Sequence, residues 1–158
     1  MNTVVQFGSP GDKPATRDYD NDGKIDLAVF RPSTGTWYIQ NSRDFSNRIQ
    51  QWGASGDIPV PGGYVATGDA DIAVWRPSDG NWYIYHTHDN SYEIKHFGQN
   101  GDIPQPIDYG AVAGLSDLGI FRPSTGTWYI QETSGQFYAF PFGLSGDIPT
   151  ATAYPVLP

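Results

Sequence analysis

The chain has 158 residues, no cysteine, 19 glycines, 13 prolines, 15% aromatic residues and a formal net charge of −8. That length suffices for one domain with its own core, and the lack of cysteine excludes disulfide staples, thiolate metal sites and thiol nucleophiles. The acidity argues against nucleic acid and anionic membranes as partners, while Gly and Pro interrupt every helical apolar stripe and leave short strands joined by tight turns.

The opening, MNTVVQFG, lacks the basic stretch and apolar run of a signal peptide. No segment is long enough to span a membrane, so no insertion is expected. Asp supplies nearly all the acidity, since Glu93 and Glu132 are the two glutamates. Asp suits turns and cation loops, whereas Glu favours helices.

Phe7-Gly8, Trp52-Gly53, Phe97-Gly98 and Phe142-Gly143 recur every 45 residues. The pairs Gly11-Asp12, Gly56-Asp57, Gly101-Asp102 and Gly146-Asp147 keep the same step. Arg31-Pro32, Arg76-Pro77 and Arg122-Pro123 are spaced 45 and then 46, so the third unit carries one inserted residue. The chain therefore divides as one repeat domain: 1–8 the last strand of a unit, full repeats at 9–53, 54–98 and 99–143, and a partial repeat at 144–158.

Each unit predicts about four strands. In the first, Ile25 to Phe30 alternates, with Ile25, Leu27 and Val29 on one face. Pro32-Ser33-Thr34-Gly35 forms a hairpin loop, because Pro presets φ and Gly supplies the left-handed position. Thr36 to Gln40 returns, a polar turn follows at Asn41 to Ser46, and a further strand runs from Asn47 to Trp52. After the Gly53 to Pro59 turn the next unit opens with a short strand. End strands are expected at Thr3 to Phe7 and Ala151 to Leu157.

The run Asp18 to Pro32 (DYDNDGKIDLAVFRP), the Phe-Gly landmark and Thr36-Trp37-Tyr38-Ile39 resemble the bacterial FG-GAP and VCBS-type repeats. The resemblance implies an all-β fold of β-propeller blades, an extracellular or cell-surface setting, and calcium binding. Three blades are too few to close a propeller, so a homo-oligomer, dimer or trimer, is expected. A threefold β-trefoil or β-prism monomer is the alternative.

Asp18, Asp20, Asp22, Gly23 and Asp26 form D-x-D-x-D-G-x-x-D. Carboxylates at every second position of a tight turn converge on one point, and a hard cation needs several such oxygens. Gly23 permits the bend, the Lys24 carbonyl is the natural backbone ligand, and Asp26 closes the shell. Units two and three have lost the middle carboxylates, which predicts one Ca²⁺ site per chain, in the first repeat. Asp71 and Asp117 persist there, which suggests a second duty such as accepting turn N–H groups.

The repeated Arg31, Arg76 and Arg122 are expected to pair with Asp12, Asp57 and Asp102 and to tie blades together. In the pairs Trp37-Tyr38, Trp82-Tyr83 and Trp128-Tyr129, neighbours point to opposite faces. One ring of each pair is core, and the other is free to stack on a sugar. Phe7, Trp52, Phe97 and Phe142 read as core spacers, and His86 with His88 as a solvated strand end. Without catalytic motifs, the chain reads as a non-enzymatic module that binds carbohydrate or a cell-surface partner. The alternative is a self-assembling structural fragment.

Overall fold

The computed structural model describes residues 5–110, 112 and 114–150. Its strands are β1 (Lys13–Pro14), β2 (Leu27–Arg31), β3 (Thr36–Gln40), β4 (Asn47–Gln51), β5 (Ile58–Pro59), β6 (Ile72–Arg76), β7 (Asn81–Tyr85), β8 (Tyr92–His96), β9 (Ile103–Pro104), β10 (Leu118–Arg122), β11 (Thr127–Gln131) and β12 (Phe137–Pro141). They form three antiparallel four-stranded sheets, β1 to β4, β5 to β8 and β9 to β12, each a simple meander. Among the described residues there is no helix and no sheet closes into a barrel. The end strands expected at Thr3 to Phe7 and Ala151 to Leu157 fall partly or wholly outside those residues.

The turns follow from residue chemistry. Gly35 closes the β2–β3 hairpin by donating its N–H to Arg31 O at 2.9 Å with φ at +63°. Gly80 repeats the bond to Arg76 O, and Gly80 and Gly126 share the left-handed φ, at +69° and +62°. A side chain at Gly35 would overlap Gly53 O, so the position needs glycine for space as well as for φ. The next turn places Phe45, Asn90 and Gly135 at one equivalent left-handed position, with φ of +59°, +61° and +91°.

Alternation gives each sheet two faces, and neighbouring sheets decide which are buried. Ala28, Phe30, Trp37 and Ile39 of the first sheet pack on Ile72 and Val74 of the second. The second sheet's other face, Ala73, Trp75, Trp82 and Ile84, packs on Leu118 and Ile120 of the third. Each buried indole removes enough apolar area to favour the fold by roughly 4–6 kcal/mol before entropy. The face expected from Ile25, Leu27 and Val29 is therefore open in the first sheet: Ile25 and Leu27 are exposed and Val29 alone is buried. Its counterpart in the second sheet, Ile72 with Val74, is sealed because the first sheet covers it.

The first strands of all three sheets meet around one cavity of about 260 Å³, lined by Pro14, Arg17, Pro59, Pro61, Gln105 and Pro106. The expected Arg–Asp pairs are present, with Nε to Oδ1 distances of 2.8, 2.8 and 2.7 Å for Arg31–Asp12, Arg76–Asp57 and Arg122–Asp102. A second donor from each guanidinium makes the contact bidentate. Both partners belong to one unit, so the pair fastens the turn that enters a sheet to that sheet's second strand. It does not bridge separate sheets.

Candidate metal centre

In every unit the chain leaves the first strand, makes a loop and returns through an isolated antiparallel bridge: Arg17 with Asp26, Gly62 with Asp71, Ile107 with Asp117. The third spans one residue more, which places the insertion in this loop. Asp26 is fully buried, and its two oxygens accept the N–H groups of Tyr19 at 2.8 Å and Ser42 at 2.7 Å. Asp117 does the same for Tyr109 at 2.9 Å and Thr133 at 2.8 Å. The carboxylate thus clamps both ends of the loop to the turn after the third strand, the N–H-accepting duty expected for it. Asp26, also expected as a metal ligand, has both oxygens engaged in this way.

In the second unit Asp71 accepts Tyr64 N–H at 2.9 Å, and His86 Nδ1 lies 3.2 Å from its other oxygen. His86 is buried, where the sequence suggested a solvated strand end. It occupies the turn position that Asn41 holds in the first unit, and its ring fills the space above the clamp. Burial first of all pushes the Asp71 carboxyl above its ordinary value.

Within the first loop, Asp18 accepts N–H bonds from Asp22 at 3.2 Å and Gly23 at 2.8 Å. Asp22 accepts the N–H of Lys24 at 2.8 Å. Gly23 and Asn21 take left-handed φ of +83° and +56°, which turns the chain tightly enough to converge the side chains. The neighbouring unit braces the loop from outside, because Ala70 N–H donates to Asp18 O at 2.8 Å. Ser116 N–H donates to Gly63 O at 2.7 Å in the next pair of units.

The result is a cluster in which one carboxylate oxygen each from Asp18, Asp20 and Asp22 lies within 4.8 Å of the others. Two ligands on opposite sides of one hard cation, at about 2.3–2.6 Å each, stand about as far apart. Asp20 Oδ1 is buried with no hydrogen-bond partner among the described residues. Desolvation, then the negative charges of Asp26 and Asp22, raise the Asp20 carboxyl above its ordinary value. The loop has arranged carboxylates that repel one another around a point that would accept positive charge. Lys24, the expected carbonyl ligand, directly follows the Gly23 bend.

The expected sugar-stacking rings fare differently. Trp37 and Trp82 are 0% exposed, so neither can stack on a ligand. Their indole N–H groups donate to Trp52 O and Phe97 O, both at 2.8 Å, and Trp128 donates to Phe142 O at 3.0 Å. Trp128 is half-buried because no further sheet lies against its face among the described residues. Tyr38, Tyr83 and Tyr129 each carry an arginine over the ring, with centroid distances of 4.4, 4.2 and 4.4 Å. One face of each ring is therefore taken by a cation–π contact.

The expected core spacers divide. Trp52 and Phe97 reach forward to pack on the sheet that follows. Phe142 is 74% exposed, because it has no following sheet to meet among the described residues. No protein-family model, curated protein or solved structure matches this chain.

Proposed function

We propose that the chain is a non-catalytic β-scaffold of propeller type, with its sheets radiating from the cavity where their first strands meet, and that one Ca²⁺ ion staples its first loop. The observation that carries the metal is Asp20 Oδ1, buried without a partner beside carboxylates of Asp18 and Asp22. The three carboxylates, with the Lys24 carbonyl, supply the oxygen-rich shell that a large hard cation takes. Asp26 holds the loop closed beneath them. The ion's work is structural: it neutralises clustered charge on a loop already braced by the second unit. Few protein ligands and partial exposure suit the weak sites of extracellular modules, at about 10⁻⁴–10⁻³ M, in a setting on or outside a cell.

Calcium titration of EDTA-treated protein tests this by calorimetry and thermal melting. One equivalent is expected to bind. At a hundred times the dissociation constant, binding stabilises by about 2.7 kcal/mol, which raises Tm by roughly 5–10 °C for a chain of this size. Asp20→Asn with Asp22→Asn removes both signals. No heat and no shift in the parent protein at up to about 100 mM calcium, a hundred times the weakest expected dissociation constant, rejects the metal.

A further inference from the structure

We propose that the outer face of the third sheet is an interaction surface for a second copy of this chain, and that it receives the open face of that copy's first sheet. The inference rests on reading the sheets as a propeller-type stack, and its test is independent of the metal.

The two junctions inside the chain share one construction. The face carrying the buried Trp of one sheet meets the opposite face of the next, and at the first junction a glycine lies between them while Gly98 at the second touches Trp75. A Cβ on Gly53 would lie 3.2 Å from Phe30 in the first sheet and 3.2 Å from Val74 in the second. At the end of the third sheet Gly143 has the first half of that junction, with Phe121 at 3.3 Å. At the start of the first sheet Gly8 has the second half, with Val29 at 3.3 Å. One end of the chain thus shows the donor half of the repeated contact and the other end shows the acceptor half. A head-to-tail pairing of two copies would join them.

The chemistry of the two end faces agrees. In register with Trp37 and Ile39, β4 places Gln50 and Arg48. In register with Trp82 and Ile84, β8 places Lys95 and Glu93. In the same places beside Trp128 and Ile130, β12 carries Phe140 and Tyr138. The third sheet has aromatic rings where the internal junctions have charged and polar rims. Tyr138, Phe140, Phe142, Leu144 and Ile148 are all exposed, a concentration of apolar surface that marks an interface. On the acceptor side, Leu27 is 39% exposed although its counterpart Ile72 is fully sealed. The acceptor keeps its own Phe7 to Asp12 turn, because Asp12 is fixed by Arg31. The junction between copies therefore brings Phe142 beside Phe7. Two copies contribute six sheets, within the range of about four to eight at which such rings close.

Analytical ultracentrifugation tests the pairing with three proteins, each checked for folding by circular dichroism. The unaltered chain is expected at twice its monomer mass, with calcium or with EDTA. Tyr138→Lys with Phe140→Lys blocks the donor face, and Leu27→Lys blocks the acceptor face, all at exposed positions. Each variant alone is expected at monomer mass, and a one-to-one mixture recovers a two-chain species through its single intact junction. A monomeric parent chain, a variant that still dimerises alone, or a mixture that stays monomeric overturns the proposal. Loss of calcium binding with the dimer intact would reject the metal alone.

Discussion

The indole N–H of Trp52 donates to the carbonyl oxygen of Tyr83 at 2.9 Å. The bond leaves the end of the first sheet and lands in the middle of the second. Around it the Trp52 ring meets Tyr85 and Tyr92, at centroid distances of 5.5 and 5.6 Å. Trp52→Phe keeps most ring contact and loses the bond, so a cost of about 1 kcal/mol is expected. Trp52→Ala loses both, at about 3 kcal/mol. Urea denaturation followed by fluorescence measures both, and an unchanged stability in Trp52→Phe would show that the hydrogen bond contributes nothing.

The clamp carboxylates predict an asymmetry between isosteres. Both oxygens of buried Asp117 accept backbone N–H groups. Asp117→Asn puts an amide N–H₂ against a donor, and leaving a buried polar group unsatisfied costs about 1–3 kcal/mol. The loss is expected in chemical denaturation at neutral pH despite the unchanged shape.

The Arg31–Asp12 pair predicts part of the acid limb of stability. The hydrogen bond from Arg31 holds the Asp12 carboxyl below its ordinary value. A carboxylate depressed in the folded state contributes stability that is complete above its unfolded value of about 3.9 and is lost as pH falls through the lower folded one. Asp71, raised by burial, acts in the opposite sense: its contribution is complete at low pH and declines as pH rises through its folded value. Melting between pH 2 and 7 is expected to show Arg31→Met flattening the loss at the acid end. An unchanged acid limb in that variant would exclude the pair as its source.

Left-handed positions predict one gain and two unequal losses. Phe45 is an exposed phenylalanine at φ +59°, where the other units use Asn90 and Gly135. Phe45→Asn is expected to stabilise by about 0.5–1 kcal/mol, because Asn tolerates this region with less strain. Gly56, at φ +90° with nothing near its Cβ position, carries backbone strain alone when changed to Ala, about 1–2 kcal/mol. Gly35→Ala adds overlap with Gly53 O and is expected to cost more. Thermal melts of the three variants order them.

Much of the fold was legible because turn chemistry and period are local. Gly35, Pro32 and the 45-residue step fixed the hairpins and sheets without knowledge of the neighbours, and Arg31 with Asp12 was readable from recurrence alone. What a residue faces depends on the next sheet. Alternation therefore separated Leu27 from Ala28 without saying which was buried, and it left Trp37 open as a ligand platform when it is a core ring tied to Trp52 O. The acidic loop was legible as a motif. The division of labour inside it was not, since spacing shows where Asp26 lies along the chain and not which N–H groups claim its oxygens. His86 gave no signal, because Asp71 lies fifteen residues earlier in the chain and Asn41 and Glu132 hold the place of the histidine in the other units.

The clamp formed by Asp26, Asp71 and Asp117 holds both ends of a loop while taking no interest in what lies between them. The middle of that loop holds three carboxylates in the first unit, the single carboxylate of Asp69 in the second, and one residue more in the third. Each unit therefore offers the same socket for an interchangeable insert, and the chain can acquire, lose or relocate a binding loop without renegotiating the sheets beneath it.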